Sequence, residues 1–322
     1  MKGFDAEFRD LAHYIGVITE RIWQGGRTED IRIYYGDPCV VETPTGITHS
    51  VEDVFAGTIA AKAMFPDRRI FDEDIIQSGD DTVGFLSSHR GISTMTHLGD
   101  GIYGKATGRA IYIRAIADCV CINNQIVHEW LVRDVAGIAL QTGSTPQALA
   151  QRWLDERGAW NKPQTTVAPA PYISHVSQDP LATAYALALQ QMVHGGALAQ
   201  SVYDPAVQQY APGGLIHYGA DAAGAFWQGL FGALRATRFV FEHLVAQRDM
   251  AQSGRPDRVA LRFRAQTLHD APRGSTRYGN PTGRPVEVLG IVHAEFIQGR
   301  LVREWILIDD VAIWMQVLSP QG

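Results

Sequence analysis

Two glutamates, Glu129 and Glu304, sit in segments of nearly the same wording, "VHEWLVRD" (127–134) and "VREWILID" (302–309), and each is followed five positions on by an aspartate, Asp134 or Asp309. In an alternating segment such a carboxylate points to one face of a sheet. If that face lines an apolar pocket, the carboxylate can remove an acidic C–H proton, and a nearby imidazole can carry the proton onward. His97 in "MTHLGD" and His269 in "TLHDAP" each end a strand-like run before a loop, and His49 and His217 follow "TPTGIT" and "PGGLI". Arg133 shares the face of Glu129, where it can hold the carboxylate ionised or stabilise an enolate, whereas the second segment has Ile308 there. His97, Glu129 and Asp134 are therefore the catalytic candidates, and His49, Arg133, Trp130 and Cys119 the candidates for substrate binding. His217, His269, Glu304 and Asp309 are their second-half equivalents. Each also has a structural reading: a salt bridge at a sheet edge for the glutamates, a helix N-cap for the aspartates, and solvated strand ends for the histidines.

Two further motifs are set aside on their surroundings. Cys119 and Cys121 stand two apart on one strand face, where a disulfide rarely closes, and no second Cys/His pair follows at zinc-ligand spacing. Free thiols and no metal are expected. "GDGIYG" (99–104) satisfies G-x-G-x-x-G, but the following "KATGRAIYIRAI" alternates like a strand and does not open the helix that a dinucleotide site requires. No cofactor is expected.

The elements that must hold these residues come in two sets. Shifting the first half forward by 175 positions lays Thr107, Gly108 and Arg109 on Thr282, Gly283 and Arg284, and gives 11 identities over the 36 positions 106–141. A self-match of this length marks a duplicated domain. The resulting division is residues 1–143, a helix and linker over 144–179, and a second domain over 180–322. In the first half, "DAEFRDLAHYIGVITERIWQGG" has helical spacing stopped by a glycine pair. "SVEDVFAGTIAAKAMFPD" predicts a second helix with Ser50 as N-cap and Pro66 beyond its end. From there to 143 the period becomes two, which predicts four successive strands. Helices followed by a curved antiparallel sheet make an α+β fold.

Composition agrees with two ordinary globular cores. The 322 residues are 46% apolar and 19% charged with a net charge of -6, so the basic surplus of a nucleic-acid binder is missing. No apolar run approaches the length of a membrane span, and "MKGFDAEFRDLAHYIG" carries acids where a signal peptide needs a basic end. A cytoplasmic protein with neither nucleic acid nor membrane as partner is expected.

Against that background, "FPDRRIFDEDII", "THLGDGIYGKATGR" and "IVHEWLVRDVAGIALQTG" resemble the SnoaL-like polyketide cyclases of the nuclear-transport-factor-2-like superfamily. The resemblance covers nearly all of residues 6–143, and in the second half rests on "NPTGRPVEV" and "LVREWILIDDVAIWMQ". It implies two tandem cone-shaped α+β domains, each a curved antiparallel sheet wrapped against helices around a deep, mostly apolar pocket for a small hydrophobic molecule. It also implies pairing through the sheets, so that a tandem chain forms an intramolecular pseudo-dimer, or a homodimer. The implied chemistry is intramolecular aldol closure by an Asp and a helper His without metal or redox cofactor. The positions aligned with that Asp hold Leu131 and Ile306, and those aligned with the His hold Ala117 and Val292. Two functions follow: an enzyme of the cyclase, isomerase or hydrolase kind acting on a hydrophobic carbonyl compound, or a non-catalytic binding protein or structural subunit that uses the same cavity.

Overall fold

The computed structural model describes residues 1–320. The chain divides into two compact units, one of residues 1–145 with 161–174, the other of 146–160 with the chain from 175 onward. Positions 321 and 322, the end of the expected second domain, lie outside the described residues.

In the first unit, α1 (Leu11–Thr19) starts at Asp10, whose carboxylate accepts from the His13 amide, and it buries Leu11, Tyr14, Ile15 and Ile18. The helix continues through a π turn, Glu20–Gln24, toward α2 (Ile31–Tyr34). A hairpin of β1 (Tyr35–Thr43) and β2 (Gly46–Thr48) precedes α3 (Val51–Met64). Ser50 caps α3 as its sequence predicts, its hydroxyl accepting from the Asp53 amide at 3.1 Å. Then come β3 (Arg69–Asp80), β4 (Gly84–Thr96), β5 (Ala110–Ile122), β6 (Gln125–Arg133) and α4 (Val135–Thr142).

Strands β3 to β6 form an antiparallel meander in the order β2-β1-β6-β5-β4-β3. The expectation of a purely antiparallel sheet of four strands needs correcting here. β1 runs parallel to β6, with Val41 opposite Glu129, so the sheet is mixed and has six strands. The physical reason is the edge that the meander leaves at β6: its free backbone groups are satisfied by β1, which arrives before the meander in sequence and in the same direction.

The second unit repeats this plan. After α5 (Pro146–Arg157) come α6 (Pro180–Val193), β7 (Tyr203–Ala211), β8 (Leu215–Tyr218), α7 (Ala220–Ala233) and β9 (Arg235–Gln247). A short α8 (Met250–Ser253) leads to β10 (Asp257–Leu268), β11 (Pro285–Ile297), β12 (Arg300–Leu307) and α9 (Asp310–Leu318). The order β8-β7-β12-β11-β10-β9, with β7 parallel to β12, reproduces the first sheet strand for strand. Each unit is an α+β cone, and the chain carries the fold in tandem.

Most of the repeated identities prove to build this frame. The His97 carbonyl accepts from the Thr107 and Gly108 amides at 3.2 and 2.9 Å, and the His269 carbonyl from Thr282 and Gly283 at 3.0 and 2.8 Å. Gly108 and Gly283, both at φ +66 to +70, supply the left-handed turn of this clasp. Gln141 clamps α4 to β5 by bonding both backbone groups of Tyr112, at 2.9 and 3.0 Å, and Gln316 does the same to Glu287 at 2.7 and 3.0 Å.

Candidate functional site

Sheet register arranges the inner face of the first unit in rows. Glu129 of β6 lies beside Cys119 of β5, Leu131 beside Ala117 and then His89 of β4, and Arg133 beside Ala115 and then Gly91. Across the middle of this floor, Ala117, Ala115 and Gly91 are too small to reach the helices above. The result is a cavity of about 510 Å³, within the range of small-molecule sites. Ile15, Ile18 and Ile22 of the first helix, with Val54 and Met64 of α3, make much of its wall apolar.

Besides Asp53, Tyr103 and several threonines, the polar groups that open on it centre on Glu129, His89 and two arginines. Glu129 is buried, and its carboxyl is held above the usual range by desolvation, opposed in part by the charge of Arg133, the hydroxyl of Tyr35 and His89. The Tyr35 hydroxyl stands 3.4 Å from Glu129 Oε2. His89 Nε2 bonds Asp72 Oδ1 at 2.8 Å, an imidazole–carboxylate pair directly across from Ala117. Arg68, from the turn between α3 and β3, donates to Ser93 Oγ from Nε and Nη2 at 3.2 and 3.0 Å, and its guanidinium lies 4.7 Å from the Trp23 ring centre. The Cys119 thiol lines the wall, and burial pushes its pKa well up, so it serves as apolar surface and not as a nucleophile.

Of the residues singled out in the sequence, Glu129, Arg133 and Cys119 meet in this cavity. His97, Asp134, His49 and Trp130 do not line it. His97 is buried behind Phe65, their rings 5.4 Å apart, with Nδ1 at 3.2 Å from Thr107 Oγ1. Asp134 is the N-cap of α4, accepting from the Gly137 amide at 2.8 Å. His49 is exposed at the start of α3. Trp130 points to the opposite face of β6, where it packs on His128 at 4.1 Å. The expected pairing of Glu129 with the His97 imidazole is not formed; the imidazole–carboxylate pair at this cavity is His89 with Asp72. His89, Arg68 and Tyr35 were missed by sequence reasoning. Register alone could have found His89, since it continues the Leu131–Ala117 row by one strand.

The second unit has the same frame with its floor filled. Gly91, His89, Asp72 and Ile70 of the first sheet correspond in register to Phe263, Leu261, Phe241 and Phe239. Phe263 packs on Phe239 at 5.1 Å and on Trp227 at 6.2 Å within one continuous core. Gly290, at the place of Ala115, is where the Phe263 ring rests, and a Cβ there would overlap it. Glu304 is also buried and held above the usual carboxyl range by desolvation. It accepts from the Tyr203 hydroxyl and from Gln209 Nε2, each at 2.8 Å, and from the Tyr185 hydroxyl. His217 Nδ1 meets Gln209 Oε1 at 2.7 Å, His269 Nδ1 meets Thr282 Oγ1 at 3.0 Å, and Asp309 caps α9. Among the described residues no cluster of three His, Cys, Asp or Glu side chains has the geometry to hold a metal.

Each unit is a mixed six-stranded sheet curved over helices, the first with a cavity beneath it, and one family model matches part of the chain. Residues 191–304 match the family model described as a SnoaL-like domain, so the match falls on the half in which the sequence resemblance is thinner. Among solved structures, IdmH of Streptomyces antibioticus, a proposed polyketide cyclase, is 23% identical, with 41% of this chain and 97% of that chain covered at a TM-score of 0.36. AclR of Streptomyces galilaeus, a proposed hydroxylase, is 16% identical, with 42% and 83% covered at a TM-score of 0.37. A proposed SnoaL-like polyketide cyclase from Jannaschia sp. CCS1 is 17% identical, with 46% and 100% covered at 0.35. No curated protein matches the chain.

Proposed function

We propose that the first unit is an acid–base enzyme of the cyclase or isomerase type, acting on a hydrophobic carbonyl compound with Glu129 as the base and no cofactor. The observation that carries this reading is a buried carboxyl with a raised pKa opening on a largely apolar cavity of about 510 Å³. A carboxyl poised above its ordinary range takes a proton from carbon more readily than an exposed one, because its proton affinity lies closer to that of the carbon acid. Tyr35, Arg133 and Arg68 supply donors and positive charge for the enolate oxygen that forms. His89, bonded to Asp72, can pass the proton on.

The test is hydrogen exchange in D₂O at the acidic C–H of an aryl β-keto ester, ethyl (2-naphthoyl)acetate, followed by NMR. Wild-type protein should accelerate exchange, and Glu129→Gln should lower the rate by about 10²- to 10⁴-fold. Because the ionised form of Glu129 is the active one, the rate should rise with pH through a limb above the ordinary glutamate range. Arg133→Met removes a charge that lowers this pKa, so the limb should move to still higher pH. Exchange unchanged by Glu129→Gln would sink the proposal, and tight binding of the ester without exchange would favour the non-catalytic binding protein.

A further inference from the structure

Most buried and half-buried arginines outside the cavity are matched to acids, although Arg300 donates instead to the Ser201 and Tyr203 carbonyls and Arg284 has no ion pair among the described residues. Arg90 and Arg114 share Glu73 at 3.2 and 2.8 Å, Arg258 has Asp249 at 2.6 Å, and Arg264 has Glu242 and Glu287 at 2.7 and 3.1 Å. The two arginines that line the cavity differ. Among the described residues no carboxylate forms an ion pair with Arg68 or Arg133, although both are only half-exposed and Arg68 is pulled down to about 10, first by desolvation and then by the charge of Arg133. Two like charges brought together over the Ala115–Gly91 part of the floor repel one another unless something negative lies between them.

The rest of the site holds Arg68 in place. Asp67, next to Arg68, accepts from the Thr96 amide and hydroxyl at 2.8 and 2.6 Å, which pins the turn. The Arg68 guanidinium is then held flat by Trp23 and Ser93. In the second unit, where Phe263 fills the floor, extending the Ile70–Phe239 and Ala115–Gly290 correspondences along the chain puts Thr237 and Ile308 at the places of the pair. The two charges are thus present where there is a cavity and absent where there is none.

We infer that the ligand of this cavity is a hydrophobic carbonyl compound bearing a carboxylate, and that Arg68 and Arg133 grip that carboxylate while the apolar body lies toward the isoleucines of the first helix. This rests on the preceding functional reading for the carbonyl chemistry, but not for the anion grip. A guanidinium matches a carboxylate in a planar two-point contact, which an ester cannot accept as an anion.

The experiment is equilibrium binding of matched acids and methyl esters, from benzoate through 2-naphthoate to anthraquinone-2-carboxylate, to the full chain. The expected result is that the larger acids bind at least about tenfold more tightly than their esters, the worth of one charge-assisted contact. Arg68→Met and Arg133→Met should each remove most of that preference while leaving ester affinity within about threefold, and the Lys variants should restore part of it. Equal affinity for acid and ester, or no measurable binding of any acid in the series, overturns the inference; the wild-type comparison alone decides this if a variant fails to fold. Glu129→Gln should keep the acid preference. Wild-type protein that shows the acid preference without accelerating exchange would therefore count against the enzyme reading and leave the anion grip standing.

Discussion

Glu129 and Asp134 lie five residues apart and recur together as Glu304 and Asp309, yet geometry assigns them different work. Asp134 holds the first turn of α4, so Asp134→Asn, which keeps a good cap, should leave stability nearly unchanged, whereas Asp134→Ala should cost about 1 kcal/mol or more. Neither should alter exchange at the acidic C–H; a catalytic loss with Asp134→Asn would show that the aspartate does more than cap. Chemical denaturation and the exchange assay measure the two effects separately. The sequence displays the repeated residues clearly but cannot say which of them are chemical, because a duplicated fold repeats its caps and clasps as faithfully as its site. Arg68 was illegible for another reason: "FPDRR" reads as a turn, and only the pinning of that turn by Thr96 aims the side chain inward.

Among the elements, the helices and the four-strand meander are readable because their periods of 3.6 and 2 are set by local sequence. The addition of β1 beside β6 is not, since parallel pairing is decided by an edge formed some ninety residues later. Whether the floor is open or filled is likewise a property of facing strands. Phe263→Ala should cost about 3 to 5 kcal/mol, as large-to-small changes in a closed core do, and should be visible as a lower denaturation midpoint. Ala117→Phe places a ring in existing space and should abolish binding of the aryl acids at little cost in stability. If the aryl acids still bound to Ala117→Phe, they would have to bind outside this cavity.

At the scale of the molecule, a net charge of -6 conceals a cavity that carries two arginines, so overall composition does not describe the ligand. No helix among the described residues is long and apolar enough to cross a membrane. The two units share a plan but divide the roles, one keeping space and charge, the other packing aromatic rings around a carboxyl that is fully engaged by Tyr185, Tyr203 and Gln209. Calorimetric titration with anthraquinone-2-carboxylate should therefore report one site per chain. A stoichiometry of two would show that the second unit opens as well.

The contact of Phe263 with Gly290 also constrains history. A side chain at 290, such as the alanine at the matching position 115, leaves no room for the ring, so a two-step route from an open floor to a filled one must lose that methyl before it gains the phenyl. The return journey must run in the opposite order. A lineage that acquired the ring first would pass through a clashing intermediate, so the glycine is the condition on which a filled floor depends.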